Sequence, residues 1–323
     1  MALRFGFLLV RDFTLSPMSL FIDTLRLAGD NGDRSRRGQF DWQIIGEKGL
    51  PIRSSCGVEI LPTISITEPE SYDHIVVVGG LLNAKHGLTS DKEAFLLTAA
   101  QRKIPLTALC TGSFLLARHG LLDSYRTCVS WFHIKDFRDI FPHIRAQADT
   151  LFAIDRDRAT CAGGAGAADL ASTFVSNHLG DKAAQKAAKI LIFDRIRTGQ
   201  DVQPGGDLFP NASSRHVKRA LLLMESYMQD KMSVFDIACQ LGMTRRQLER
   251  LFLAEVQMGP KAAYLLLRLR YARTLLRTSD LLLGEVAYRC GFLSAGHFSR
   301  VFRQYEGVPP SEARKRDLVF PRA

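Results

Sequence analysis

Residues 237–252 read Ile237-Ala-Cys-Gln-Leu-Gly-Met-Thr-Arg-Arg-Gln-Leu-Glu-Arg-Leu-Phe252. Residues 286–302 read Val286-Ala-Tyr-Arg-Cys-Gly-Phe-Leu-Ser-Ala-Gly-His-Phe-Ser-Arg-Val-Phe302. The two stretches are copies of one pattern. Ala238 and Gly242 recur as Ala287 and Gly291 at a separation of 49, and Leu248, Arg250 and Phe252 recur as Phe298, Arg300 and Phe302 at a separation of 50. In each copy a short apolar-faced helix is expected to end at the glycine, which takes the left-handed conformation that a tight turn needs. Thr244 or Ser294 then caps a second helix, its side-chain oxygen satisfying an otherwise orphaned amide. Leu248/Phe252 and Phe298/Phe302, at i and i+4, anchor that helix to a core. The pattern predicts a double helix-turn-helix. Pro260–Thr278 is long enough to join the two halves as one helix of about 28 Å at 1.5 Å per residue.

The other face of each second helix carries Arg245, Arg246, Glu249 and Arg250 in one copy and His297, Ser299, Arg300 and Arg303 in the other. Side chains of these types hydrogen-bond base edges and phosphates in a major groove. The charge agrees. Residues 213–323 hold 19 Lys/Arg against 10 Asp/Glu, a net of +9, so nearly all of the chain's +10 sits in its last third. A basic module joined to a neutral one points to a polyanion, and here to double-stranded DNA. A merely solvated basic surface would account for the charge but not for the tandem repeat. The connecting helix would let the two recognition helices enter successive major-groove faces about one DNA turn apart.

Ahead of this module the pattern changes. Leu3–Val10, Phe40–Ile45, His74–Val78 and Ile104–Leu109 read as strands, and Met18–Ala28, Asp91–Lys103 and Thr111–His119 read as helices. Strands alternating with helices argue for an α/β fold, a parallel sheet flanked by helices on both faces. The Gly-, Pro- and Ser-rich stretch around Thr198–Ser214 has no apolar period and reads as a linker. The expected organisation is a domain at 1–198, a linker at 199–212 and an all-α domain at 213–323.

Within the first domain, Ile104-Pro-Leu-Thr-Ala-Leu-Cys110-Thr-Gly-Ser-Phe-Leu-Leu-Ala117 stops a strand at Cys110 and starts a helix at once. That is the arrangement of a nucleophile elbow, with a thiol held at a strand end beside a helix N-terminus. Gly79-Gly80, after another strand, would bring backbone amides close to it. The contacts expected with a small ligand here are Gly79, Gly80, Cys110, Thr111, Ser130 and Trp131. Gly163-Gly164 is no phosphate loop, because no Gly-Lys-Ser/Thr follows. Asp155-Arg-Asp-Arg158 alternates charge and reads as a solvated turn between strands.

Six cysteines, at 56, 110, 128, 161, 239 and 290, show no metal-ligand spacing and read as reduced thiols, largely in the core. No metal and no cofactor is expected. The longest uncharged stretch is Ile104–Ala117, too short for a membrane span. The N-terminus lacks the apolar region and cleavage site of a signal peptide, so a cytoplasmic protein is expected. With 46% hydrophobic and 24% charged residues, a disordered or low-complexity chain is excluded.

Residues 215–318 resemble the AraC/XylS family of transcription regulators. The motifs that carry the likeness are Ala287-x-x-Cys-Gly-Phe292, His297-Phe-Ser-Arg-x-Phe-Arg303 and Gly307-Val-Pro-Pro-Ser311. By that resemblance Arg246, Glu249 and Arg250 of one recognition helix, and Gly296, His297 and Arg300 of the other, face the bases. Thr244, Arg245, Ser294 and Arg303 complete the expected DNA-binding set. Gly296 has no side chain to read with, so the second helix is expected to specify less. The first domain resembles the PfpI-like, flavodoxin-like (class I glutamine-amidotransferase-like) domains, on Gly79-Gly80, Cys110-Thr-Gly-Ser-Phe-Leu-Leu-Ala117, Trp131 and Cys161-Ala-Gly-Gly-Ala165. Together the two halves resemble the GlxA-type regulators. The resemblance implies a homodimer that senses a small nitrogen-containing metabolite, works with RNA polymerase, and activates transcription.

Enzymes of the PfpI-like superfamily place an acidic side chain early in the first helix and a His shortly after the elbow. Here the first slot falls near Pro17, with Asp23 further along, and the second is Ser130, with His133 lying two residues beyond Trp131. A thiol without a base and an orienting group is a poor catalyst. The chain is therefore expected not to be an enzyme. A cysteine-dependent amidotransferase-like hydrolase with a DNA-binding tail is the alternative, and a constitutive architectural DNA-binding protein is a third reading. Cys110 itself is left as a pocket wall, a structural elbow or an oxidation sensor.

Overall fold

β1 (Leu3–Leu9) is buried along most of its length, which is why it reads as a continuous apolar run and not as an alternating one. The computed structural model describes residues 2–32, 34–36, 38–82, 87–204, 208–229 and 232–317, with only the backbone described at 316 and 317. After β1 come α1 (Leu15–Gly29), β2 (Phe40–Ile45), the hairpin β3 (Ile52–Arg53) and β4 (Glu59–Ile60), and β5 (His74–Val78). Then follow α2 (Ser90–Gln101), β6 (Leu106–Leu109), α3 (Gly112–Arg118), β7 (Thr127–Cys128), α4 (Ile134–Ile140) and β8 (Ala146–Gln147). β9 (Phe152–Asp155), β10 (Arg158–Cys161), α5 (Gly166–Leu179) and α6 (Asp181–Ile190) complete the first unit, Met1–Gln203. The main sheet has the order β2-β1-β5-β6-β10-β9, parallel except for the β9–β10 pair. β1 thus lies between the strand that follows it and one reached by crossing back, the switch point of a doubly wound sheet.

Helices cover both faces. Phe5 meets Phe21 of α1 and Phe174 of α5 at ring distances of 5.7 and 5.9 Å, while Tyr72, on the opposite face, meets Phe95 of α2 at 6.3 Å. His74 lies in the first of these layers, stacked 5.1 Å from Phe5 and edge-on to Phe174 at 4.9 Å. Its Nδ1 is buried without a hydrogen-bond partner among the described residues. Burial pushes its pKa down to about 4, against the weaker opposing pull of Asp73. The folded chain therefore holds His74 neutral, while the unfolded chain takes up a proton near pH 6.5. Its contribution is fully present above pH 6.5 and is lost as pH falls toward 4, a change of about 3 kcal/mol. His74→Phe should flatten that part of the acid instability. Urea unfolding of both forms at pH 7 and pH 4.5 checks it, and equal acid loss in the two would remove His74 as the cause.

The turn joining β9 to β10 is less solvated than expected. Arg158 is buried, donating to Leu121 O at 3.0 Å and to Asp157 Oδ2 at 2.7 Å, and the Arg156 guanidinium lies 3.8 Å above the Tyr125 ring. An aromatic ring between two arginines lets a charged turn fold back onto the protein. The cysteines also divide more evenly than expected. Cys128, Cys161 and Cys290 are buried, Cys110 is half-buried, and Cys56 and Cys239 are exposed.

The stretch expected to be a linker is held at both ends. Gly199 O accepts from Leu151 N at 3.0 Å, and Asp201 pairs with Arg195 at 2.6 Å. The Gln203 side chain is buried, donating to Val129 O at 2.9 Å and Thr150 O at 2.7 Å and accepting from Trp131 N at 2.8 Å. Buried carbonyls at strand ends need donors, and a polar segment from elsewhere in the chain supplies them. On the other side Leu208, Phe209 and Ala212 pack on the second core. The boundary falls at Gln203/Pro204.

The second unit, Pro204–Ala323, contains α7 (Arg215–Ser226), α8 (Val234–Gln240), α9 (Arg245–Val256), α10 (Pro260–Thr278), α11 (Leu283–Arg289), α12 (Ala295–Glu306) and α13 (Pro310–Asp317). α10 serves two cores. Ala263, Tyr264 and Leu267 belong to one with α7, α8 and α9, and Leu269, Ala272 and Leu276 belong to the other with α11 and α12. No helix among the described residues is long and apolar enough to cross a membrane.

Candidate functional site

The two halves of the second unit repeat down to single hydrogen bonds. Gly242 and Gly291 both take φ of +70°. Met243 N donates to Ala238 O at 3.0 Å in one half, and Phe292 N to Ala287 O at 2.9 Å in the other. These bonds close α8 and α11 and turn the chain into α9 and α12. Thr244 Oγ1 accepts from Gln247 N at 3.3 Å while Gln247 Oε1 accepts from Thr244 N at 2.8 Å, a reciprocal capping box. Ser294 Oγ accepts from His297 N at 3.2 Å. Thr244 and Ser294 therefore use their side-chain oxygens to start the helices that carry the other expected DNA contacts.

On α9, Arg245, Arg246 and Arg250 are exposed and Glu249 is half-buried; on α12, Gly296, His297, Arg300 and Arg303 are exposed. Leu248 and Phe252, with Phe298 and Phe302, are fully buried beneath them. Arg245 Nε donates to Glu249 Oε1 at 2.8 Å, so this carboxylate is held by its neighbour one turn away. Between the recognition helices lies a cleft of about 720 Å³ bordered by Arg245, Glu249, Leu253, Tyr264, Arg268 and His297. Leu253 is 59% exposed and was not among the expected contacts. The signal that finds it is the repeat itself, whose offset of 50 sets Leu253 against Arg303. The two halves are locked by Arg268, which is buried. It donates to Cys290 O and Gly291 O at 2.5 and 2.6 Å, and its guanidinium lies 4.0 Å above the Phe292 ring.

In the first unit Cys110 occupies an elbow, with φ of +56° immediately after β6 and α3 starting at Gly112. Such a conformation is costly for a residue with a Cβ and marks a chain forced into a sharp reversal. The thiol lies 3.5 Å from Thr14 Oγ1. Gly163, set aside in the sequence, borders it: a Cβ there would stand 3.4 Å from Cys110 Sγ. Thr111 is buried and donates to Gly80 O at 2.7 Å. Gly79 and Gly80 stack backbone on backbone against Gly112 and Asp12. The space left beside Gly79, Gly80 and Thr111 is about 10 Å³, room for about one water.

Ser130 and Trp131 lie on the segment between β7 and α4, and Trp131 is 38% exposed. Among the described residues no hydrogen bond or ring contact joins either to Cys110. Direct contacts thus join Gly79 and Gly80 to Thr111, next to Cys110 in the chain. His133 is 3.4 Å from Asp136 and edge-on to Phe114 of α3, and Asp23 is paired with Arg26 at 3.1 Å. The neighbouring thiols are buried, which pushes Cys128 up to about 12 and Cys161 well above the ordinary range. Buried protonated thiols of that kind are unreactive.

A family model described as a helix-turn-helix domain matches residues 237–316, and one described as the DJ-1/PfpI family matches residues 30–176. The chain is similar over nearly its whole length to proteins named HTH-type transcriptional regulators. GbdR of Pseudomonas aeruginosa is 33% identical over 312 residues, covering 96% of this chain and 83% of the relative. CdhR of the same species is 30% identical over 315 residues, with 97% and 92% covered. GlxA of Rhizobium meliloti is 28% identical over 316 residues, with 97% and 96% covered.

Proposed function

The chain belongs to the transcriptional regulators that join a DJ-1/PfpI-like domain to an AraC-type helix-turn-helix domain, and from that premise we propose how its two units divide the work. α9 and α12 enter major grooves of an operator, and the first unit binds a small nitrogen-containing metabolite that sets how well a homodimer holds that operator, to activate transcription with RNA polymerase. The observation that carries the DNA half is the pair of capped, exposed recognition helices mounted on one connecting helix. Arg250 and Arg300 are matched donors suited to guanine, Arg246, Glu249 and His297 flank them, and Leu253 offers an apolar contact for a thymine methyl. Arg245 and Arg303 stand beside the phosphates. The metabolite belongs at the carboxyl ends of the strands, on the switch-point side of the sheet. It works only if it binds the operator-competent arrangement with a different affinity from the other, since equal affinity shifts nothing.

Operator sites selected from fragmented genomic DNA with the full chain provide the test. Arg250→Ala and Arg300→Ala should each cost about 1–3 kcal/mol at one half-site and relax base preference there. Uniform loss on every sequence would make both residues phosphate contacts. For the effector, thermal shifts of the full chain with amino acids, polyamines and quaternary amines come first. A ligand at 100 times its dissociation constant adds about 2.7 kcal/mol. A stabilising compound that leaves operator affinity unchanged would remove it as an effector.

A further inference from the structure

At the carboxyl end of β1, on the switch-point side of the sheet, lies a cavity of about 360 Å³ that the elbow residues do not line. Val10 separates it from the closed space beside Gly79, Gly80 and Thr111. We propose that this cavity binds a small amino-acid-like carboxylate, with Lys92, Arg11 and Arg53 holding the carboxylate and Glu59 receiving the ammonium. The inference rests on the metabolite-sensing reading of the first unit and names the site and chemistry of that sensing.

Lys92 forms the floor. It comes from the first turn of α2, is only 8% exposed, and donates one Nζ–H to Leu9 O at 2.9 Å. An ammonium has three donors, so two remain for a guest. Among the described residues no carboxylate pairs with it to compensate burial, and desolvation pulls its pKa down. A bound carboxylate would supply the missing countercharge. Thr89, ahead of it, places no side chain on the first-turn amides of α2, which also favour an anion.

The mouth is made by Arg11, just after β1, and by Arg53 and Glu59, which face each other across the β3–β4 hairpin. These three side chains are exposed, and no hydrogen bond or ion pair engages them among the described residues. Their backbone is nonetheless fixed. Arg53 O accepts from Asp12 N at 2.7 Å, Ser55 N donates to Phe13 O at 2.8 Å, and Ser54 is buried. One cation on the floor, with two cations and one acid on a rigid rim, suits a ligand with a carboxylate and a smaller cationic group. Among the described residues no aromatic side chain lines the cavity, so a quaternary ammonium, which binds through ring faces, fits it poorly. Its size suits an amino acid.

Calorimetric titration of the full chain with the L-amino acids, their amides, glycine betaine and inorganic phosphate tests the assignment. At least one amino acid should bind where its amide does not, and Lys92→Met should weaken it at least about tenfold. Arg53→Ser, at an exposed side chain, should weaken it by a smaller factor without touching the fold. Glu59→Gln should weaken the amino acid but not the matching hydroxy acid. Unchanged binding in Lys92→Met, preference for betaine or phosphate, or no amino-acid binding at all overturns the site. Operator affinity is read separately. A compound that shifts it equally in wild type and Lys92→Met overturns the site and leaves the sensing reading. An amino acid that binds through Lys92 without altering operator affinity confirms the site and overturns the regulatory reading.

Discussion

Replacing Gly80 with alanine is expected to remove about 4 kcal/mol or more from the stability of the first unit, a large share of the 5–15 kcal/mol that holds a typical domain. A Cβ at this position would stand 1.8 Å from Asp12 O, 2.5 Å from Asp12 C and 2.5 Å from Phe13 Cα. Overpacked side chains escape by changing rotamer at a cost of about 1–3 kcal/mol. Here every opposing atom is backbone, so the segments themselves must separate. They are tied on several sides, by Leu81 N to Asp12 O at 3.2 Å, by Thr14 N to Gly79 O at 2.9 Å and by Thr111 Oγ1 to Gly80 O at 2.7 Å. Gly79 is as tight, with a Cβ that would meet Gly112 N at 2.2 Å. The glycine pair is thus required for the elbow to close, whatever else it contacts. Both tryptophans, Trp42 and Trp131, lie in the first unit, so their fluorescence follows its unfolding alone. Gly80→Ala should lower that melting transition by roughly 8–16 °C. A shift under about 2 °C would mean the three segments part easily.

Arg268→Met is the second large effect, expected at about 3 kcal/mol or more in the second unit. Methionine keeps most of the volume but leaves Cys290 O and Gly291 O, at the end of α11, buried without their charged donor. The cation above the Phe292 ring is lost as well. The consequence extends across the domain. Gly291 packs against the first half, where a Cβ would meet Met228 O at 2.3 Å, so loosening the end of α11 loosens the seam between halves. Operator affinity should fall because two recognition helices that move independently no longer present one fixed spacing. Arg268→Lys should recover only part of the loss, since a point charge cannot reach both carbonyls as the planar fork does. Helical circular dichroism should show an earlier transition while tryptophan fluorescence stays put. Wild-type melting of Arg268→Met would show that the carbonyls find other donors.

Much of this architecture is written locally. The boundaries of β2, β5 and α10 coincide with those read from the residues, and Thr244, Ser294, Gly242 and Gly291 cap and turn where their residue types predict. The two-residue strands β3, β4, β7 and β8 were not legible, because two residues carry no period. The interdomain stretch shows where the units divide, at Gln203/Pro204, but not that it is tethered. Gln203 looks like a linker residue by composition, yet it answers carbonyls at Val129 and Thr150, more than fifty residues earlier.

The sequence by itself determined the class of each unit, the repeat, the recognition helices and the elbow at Cys110, because these depend on neighbours within a turn or two of the chain. Only the tertiary structure decided that Gly79 and Gly80 are packing requirements, that Arg268 is the clasp between halves, and that Lys92 sits in a cavity with Arg11, Arg53 and Glu59. Each of those roles comes from a backbone or a charge brought in from a distant segment. Local pattern records which side of an element is buried, but not which group waits there to meet it.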